Sequence, residues 1–299
     1  MARLHADEVD IAVSLVRRLL AEQFPQWADL PVSVVDSAAG TSNVMYRLGD
    51  DLAVRLPRTP DAARGVDKER RWLPHLSPHL PLAVPEVLGA GTPGEGYPLP
   101  WTVCRWLDGD DALTVPLPDL SHTATELARF VVALRRVDPA GAPPAFRGGS
   151  VRERDDHVRD AIRDLGAAGA LDADAVTAAW EDALGLPAWP GDPVWVHSDL
   201  LPGNLLARNG KLSAVIDFGA AGTGDPACDT MVAWTTLTAR TRPLFRAAVD
   251  VDDATWARGR GWALCFGLTA AHYYRVSNPV FAALGRRAMD EVFADLADA

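Results

Sequence analysis

The sequence predicts an α+β protein in which a small β-rich portion precedes a larger, mainly helical one. Three observations carry this reading. Up to Leu107 the chain is dominated by short apolar runs separated by turn residues. After Asp108 apolar residues recur at helical spacing instead. One further short β section, around residues 194–216, interrupts the helical portion and carries the most informative polar residues.

In chain order, residues 7–24 place Val9, Ile11, Val13, Leu15, Val16, Leu19 and Leu20 at mostly helical spacing, and Pro25 stops the pattern. Residues 32–35, 44–48 and 52–56 read as strands of an antiparallel meander, joined through 36–43 and 49–51. The third of these alternates, so Ala53 and Arg55 share one face while Val54 and Leu56 share the other. A helix is expected over 64–76, with Pro74 near its end, followed by a loop at 81–85 and strands at 86–90 and 100–107. Residues 121–137 are strongly helical, with Leu127, Phe130, Val131 and Leu134 on one side. Residues 152–165 and 173–184 are helical as well. Strands then return at 194–196, 205–207 and 212–216, the last two joined by a turn at Asn209-Gly210. From Asp229 onward the pattern is helical, with breaks near Pro243 and Pro279. No internal repeat is present.

Composition narrows the function classes. The 299 residues are 48% hydrophobic and 23% charged, enough for one large core or two smaller ones. No run of eighteen apolar residues exists, so no membrane span is expected. The first ten residues carry acids and a His rather than basic residues and an apolar run, unlike a signal peptide. Cys104, Cys228 and Cys265 are scattered without C-x-x-C spacing, which suggests neither a disulfide framework nor a zinc site and fits a reducing cytoplasm. A net charge of −11 disfavours nucleic acid as a partner. Among 29 basic residues only Lys68 and Lys211 are lysines.

The segment Trp195-Val-His-Ser-Asp-Leu-Leu-Pro-Gly-Asn204, followed by Ala214-Val-Ile-Asp-Phe-Gly219, carries the chemistry. An apolar strand leads into a polar loop, and the next hairpin ends at Asp217. The arrangement lets Asp199, Asn204 and Asp217 converge although they are separated in sequence. Phosphoryl transfer needs a carboxylate to orient and deprotonate a hydroxyl, and hard oxygen ligands to hold Mg²⁺ against phosphates. The H-x-D-x-x-x-x-N spacing followed by D-F-G matches a kinase catalytic loop. Any one of these pieces alone is more often a turn or a buried polar residue than a site.

These residues, with Gly224-Asp-Pro-Ala-Cys-Asp229, resemble the aminoglycoside phosphotransferase family of small-molecule kinases, whose two-lobed fold is protein-kinase-like. The resemblance covers nearly the whole chain and is most specific from Val194 to Asp229. It implies that Asp199 is the catalytic base, that Asn204 and Asp217 bind metal, that His197 is structural and that Asp229 supports the catalytic loop. Ser198 stands where the family often has Gly. The lobes would be 1–107, nucleotide-binding and including the hinge strand, and 108–299, helical with the catalytic loop and substrate site.

In the first lobe the resemblance places the phosphate-covering loop at Ser37-Ala-Ala-Gly-Thr-Ser-Asn43, so Gly40, Thr41 and Ser42 would face the phosphates. The third strand carries Arg55 where related kinases have Lys, with Glu69 on the next helix as its partner. Cys104, Arg105 and Leu107 would meet the adenine. Trp101 and Trp106 read as packing residues. The expected cofactors are ATP, with GTP not excluded, and Mg²⁺. The expected partner is a small hydroxylated, cationic acceptor, best an aminoglycoside-type antibiotic. Another metabolite or a macrolide is the alternative, and a nucleotide-binding pseudokinase is a third reading motivated by Arg55. Glu153, Asp155, Asp156, Asp160, Asp250, Asp252 and Asp253 are candidates for gripping amines, and each reads equally as a solvated helix face or helix start. Oligomeric state is not readable.

Overall fold

The computed structural model describes residue 9, residues 11–35 and residues 42–297. Its elements are α1 (Val13–Gln23), β1 (Val32–Val34), β2 (Asn43–Leu48), β3 (Leu52–Pro57), α2 (Pro60–Leu76), β4 (Val87–Gly91), β5 (Trp101–Arg105), β6 (Asp110–Asp111), α3 (Leu120–Arg135), α4 (Asp155–Ala167), α5 (Ala173–Gly185), β7 (Val194–Val196), β8 (Leu205–Arg208), β9 (Lys211–Val215), β10 (Gly222–Gly224), α6 (Ala227–Thr230), α7 (Val232–Thr235), α8 (Arg242–Val249), α9 (Asp253–Tyr273) and α10 (Pro279–Ala297). Packing divides the chain into two compact units. One is Met1–Val115 with Gly203–Asn209 and Ser213–Gly219; the other is Pro116–Pro202 with Gly210–Leu212 and Ala220–Ala299.

The first unit is built on a five-stranded antiparallel sheet of order β1-β2-β3-β5-β4. β2 and β3 form the expected hairpin, with Val44 opposite Leu56 and Leu48 opposite Leu52. One sheet face meets α1, whose Leu15, Val16, Leu19 and Leu20 pack on Val44, Tyr46, Leu48, Val54, Leu56 and Val103. The α1 helix starts at Val13, later than its apolar spacing suggests. Val9 and Ile11 pack on the same core from non-helical chain ahead of it, and Tyr46 Oη donates to Ile11 O at 3.0 Å.

Helix α2 begins four residues earlier than the apolar pattern indicates. Thr59 caps it, accepting from Ala62 N–H at 3.3 Å, and Pro60 takes the first turn, where a missing N–H costs nothing. A smaller sheet of order β6-β8-β9 completes this unit, with β9 extending into the other unit at its first residues.

The second unit is mainly helical. α9 runs through its middle with residues buried on most of its circumference, and packs against α4, α5, α6, α7 and α10. Trp180, Trp195, Trp234, Phe130 and Phe245 are fully buried there. β7 pairs antiparallel with β10, so that Trp195 lies opposite Thr223. Among the described residues no helix is long and apolar enough to cross a membrane.

Candidate active site

In the first unit a cavity of about 450 Å³ is lined by Ser42, Arg55, Cys104, Arg105, Leu107, Asn204 and Asp217, together with Asn43, Ala53, Arg58 and Trp106. Seven residues expected from the sequence therefore share one cavity wall. Gly40 and Thr41 lie outside the described residues. Glu69 stands behind the cavity as the partner of Arg55.

β3 places Arg55 by alternation. Ala53 and Arg55 face the cavity while Val54 and Leu56 enter the core under α1. The Arg55 guanidinium contacts Glu69 Oε2 through Nη1 and Asp217 Oδ1 through Nη2 at 2.7 Å. With its amide oxygen turned to the guanidinium, Asn43 accepts from Arg55 Nε at 3.1 Å and Nη2 at 2.9 Å; the opposite orientation sets donor against donor. Burial disfavours the Arg55 charge, but Glu69 and Asp217 outweigh it and hold the pKa above its ordinary value. For Glu69, burial pushes the carboxyl above the usual range and Asp217 adds to the push, with Arg55 only partly offsetting them.

The hairpin base brings the two candidate metal ligands together. Ile216 N–H donates to Asn204 O at 2.9 Å, joining the backbones beside Asn204 and Asp217. Asp217 itself adopts a left-handed φ of 64°. Non-glycine residues rarely hold this conformation, and it turns the chain sharply out of β9 into Phe218-Gly219. One carboxylate and one amide oxygen are hard donors, and the pair suits Mg²⁺ that also takes phosphate oxygens and water.

At the β5 end of the cavity, burial pushes the Cys104 thiol up to about 11, so it is a neutral wall at neutral pH. The Arg105 side chain turns away to Glu86 at 2.6 Å, which leaves its backbone as its contribution to the cavity. Arg105 N–H and Trp106 N–H donate to Glu86 O at 2.9 Å and Asp51 O at 2.7 Å. Leu107 N–H has no protein acceptor among the described residues. Trp106 is stacked by the Arg47 guanidinium at 4.1 Å from the ring centroid, a packing role as expected.

In the second unit β7 leads into the loop that carries His197, Ser198 and Asp199. His197 and Ser198 are fully buried. Asp229, on α6, accepts their backbone N–H groups at 2.8 and 2.7 Å. Burial raises the Asp229 carboxyl above its ordinary range, while His197 and the two N–H bonds pull it back. Asp199 N–H donates to His197 Nδ1 at 3.3 Å. Ser198 has φ 69°, which explains why Gly suits this position.

Arg147 is the site residue that sequence reasoning missed. Its Nη1 reaches Asp199 Oδ1 at 2.6 Å and Ser198 O at 2.7 Å, and its N–H donates to Ser198 Oγ at 2.6 Å. It lies 52 residues before Asp199 in an irregular segment, and its only sequence signal is an Arg ahead of two glycines.

Most of the acids considered for gripping amines have partners in their own chain. Glu153 accepts from Ser150 N–H in a capping box. Asp155 accepts from Trp180 Nε1 at 2.8 Å and pairs with Arg159 at 2.8 Å. Asp160 pairs with Arg163 at 2.6 Å, Asp253 pairs with Arg246, and Asp252 caps α9 through Thr255 N–H at 2.6 Å. Asp250 is the left-handed C-cap of α8.

Comparison with known proteins bears on these observations. No curated protein sequence matches the chain. Solved structures match it along nearly its full length. The GDP and kanamycin complex of APH(2'')-IIIa superposes with a TM-score of 0.74 at 21% identity, covering 94% of this chain and 98% of that one. Macrolide 2'-phosphotransferase MphH from Brachybacterium faecium gives 0.61 at 21%, covering 92% and 97%. A thermostable mutant of aminoglycoside phosphotransferase APH(4)-Ia, in ternary complex with AMP-PNP and hygromycin B, gives 0.61 at 23%, covering 94% and 98%. The fold is thus the kinase-like one that these proteins share. The family model described as the phosphotransferase enzyme family matches residues 34–262, so the chain belongs to that family.

Proposed function

We propose that the chain transfers the γ-phosphoryl group of ATP to a hydroxyl of a small molecule in a Mg²⁺-dependent reaction. The observation that carries this reading is the single cavity holding Arg55, Asn204, Asp217 and the Arg105–Leu107 backbone, the groups a nucleoside triphosphate requires. The acceptor oxygen bonds to the γ-phosphorus, the bond from phosphorus to the ADP oxygen breaks, and the hydroxyl proton passes to Asp199. Asp199 orients the hydroxyl as well, its carboxylate fixed by Arg147 at 2.6 Å. Arg55 has five N–H donors, so it can hold a phosphate oxygen in addition to its carboxylates. Asn204 and Asp217 would hold the Mg²⁺, which neutralises charge on the transferring phosphates. Ser42, with Gly40 and Thr41, would cover the phosphates, and Leu107 N–H would meet the purine edge. Cys104 forms part of the wall beside it.

GTP is the other donor compatible with backbone recognition, and relatives of this fold hold GDP, ADP or AMP-PNP. The three buried free cysteines accord with a reducing cytoplasm. An aminoglycoside acceptor draws its support from relatives complexed with kanamycin, gentamicin and hygromycin B, and a macrolide acceptor from MphH.

The test is ADP release by Asp199→Asn and Asp217→Ala proteins. Asp199→Asn is expected to bind nucleotide normally and lose on the order of 100-fold or more in kcat. Asp217→Ala is expected to lose Mg²⁺-dependent ATP binding together with turnover. Near-normal turnover by a folded Asp199→Asn protein removes Asp199 from the role of base. Absence of any Mg²⁺-dependent ATP turnover in the wild type leaves the pseudokinase reading standing.

A further inference from the structure

We propose that Phe146, Arg147 and Arg154 form the acceptor-recognition surface beside Asp199, and that they select a neutral or anionic hydroxylated acceptor with a flat apolar face over a polycation. The proposal rests on the reading of Asp199 as the base.

Phe146 is a large aromatic residue left 55% exposed. A single exposed aromatic is ordinary on a protein surface, but this one is fixed at the catalytic loop. Its N–H donates to Ala220 O at 3.0 Å, and its carbonyl accepts from Arg154 Nη2 at 2.9 Å. The next residue, Arg147, is tied to Ser198 and Asp199. The Phe146 ring therefore stands one residue from the group that grips the base, held from both flanks. The Arg147 guanidinium lies 5.0 Å from its ring centroid and the Arg154 guanidinium 4.6 Å.

The charges in this cluster do not cancel. Arg147 is matched by the Asp199 carboxylate. Arg154 has only the Phe146 carbonyl as a polar partner and no carboxylate among the described residues. A polycationic acceptor would meet two guanidinia and one carboxylate that is already paired. Of the seven acids considered for gripping amines, Glu153, Asp155, Asp160, Asp252 and Asp253 each have a partner in their own chain, which leaves Asp156 and Asp250 to offset the two guanidinia. An aromatic or flat glycosidic face can stack on the part of the Phe146 ring that remains exposed. A carboxylate or other anionic substituent can take the unpaired donors of Arg154.

The experiment uses acceptors that share a scaffold and differ in charge: 4-nitrophenyl β-D-glucoside, the corresponding glucuronide and the corresponding 2-amino-2-deoxyglucoside, with kanamycin as the polycation. Mg²⁺·ATP-dependent ADP release gives kcat/KM for each, and calorimetric titration of the same four compounds gives binding whether or not turnover occurs. The expected order is glucuronide, then glucoside, then the amino sugar and kanamycin. Arg154→Gln is expected to lower the glucuronide value about tenfold more than the glucoside value, the loss of one charged hydrogen bond. Phe146→Leu is expected to weaken all three aryl glycosides and leave kanamycin unchanged. Kanamycin or the amino sugar as the best acceptor, or as the tightest ligand where no acceptor is turned over, overturns the proposal and leaves the kinase reading intact. Binding by none of the four overturns it too, as does an Arg154→Gln loss equal for all acceptors. Absence of Mg²⁺-dependent ADP release, even to water, with the expected binding order retained, would instead overturn the kinase reading alone.

Discussion

Arg55 illustrates how a single substitution changes the requirements on its neighbours. A Lys there would present one compact charge; the guanidinium instead meets Glu69, Asp217 and Asn43 together. Arg55→Ala leaves the Glu69 carboxylate, 1% exposed, without its countercharge. Loss of a partner from a buried pair costs about 3–5 kcal/mol. Both KM for ATP and kcat are expected to worsen, whereas Arg55→Lys is expected to stay within roughly tenfold of wild type in kcat/KM, a difference of about 1.4 kcal/mol. Wild-type ATP kinetics in a folded Arg55→Ala protein would place the phosphate anchor elsewhere. At Ser198 a left-handed backbone, costing about 1–2 kcal/mol for a residue with a Cβ, is set against a 2.6 Å bond from Arg147 N–H to its hydroxyl. Ser198→Gly exchanges one for the other and is expected to change stability by less than about 1 kcal/mol. Ser198→Ala keeps the strain and loses the bond, so denaturant unfolding is expected to show a loss of about 1–2 kcal/mol. The pairing of Arg55 with Glu69 was legible because the resemblance to kinases pairs the third-strand cation with an acid on the next helix, and strand alternation put Arg55 on one face with Ala53. The grip of Arg147 on Asp199 was not, because it joins an irregular segment to a loop 52 residues away with no periodicity linking them.

At the scale of elements, α2 and the Phe218-Gly219 turn meet through two glycines. A Cβ on Gly65 would fall 3.0 Å from Gly219 Cα, a backbone atom with little room to yield. The close approach sets the distance at which Glu69, one turn further along α2, reaches Arg55. Gly65→Ala gains about 1 kcal/mol of helix propensity but needs a shift of a few tenths of an ångström, so its two effects oppose. Gly65→Val adds bulk that cannot fit, and overpacking of this kind costs about 1–3 kcal/mol. It is expected to weaken ATP binding by moving Glu69 and the Asp217 turn apart, read as a raised Kd for a fluorescent ATP analogue at unchanged helix content. An unaltered Kd would show that α2 is free to shift without disturbing Arg55. The helices and most strands were legible because their periodicity is strong. β10 was not: Gly-Thr-Gly has little β propensity, and only its pairing with β7 makes it a strand. The start of α2 was missed for a different reason, since apolar spacing carries no information about the Thr59-Pro60 cap that begins it.

At the scale of the whole molecule, the chain leaves the first unit after Val115 and returns to it at Gly203, bringing Asn204 and Asp217 to the wall that Arg55 and the β5 end already form. A division of the chain into consecutive halves does not describe this excursion, and nothing in composition marks it. The cavity is consequently made of sequence stretches far apart, all within one unit, and this makes nucleotide binding separable from acceptor binding by where each protects the backbone. Ligand at 100 times its Kd stabilises the state that binds it by about 2.7 kcal/mol. Mg²⁺·AMP-PNP is therefore expected to slow amide hydrogen exchange in β2, β3, residues 102–114 and residues 204–217, with α8 and α10 unchanged. Asp217→Ala should abolish the Mg²⁺-dependent part of that protection and leave the exchange of α9 as it was. Protection centred on α8–α10 instead would move the nucleotide into the helical unit. It would also leave the buried cluster of Arg55, Glu69 and Asp217 as a purely structural ion network, whose removal would then lower stability without touching ATP kinetics.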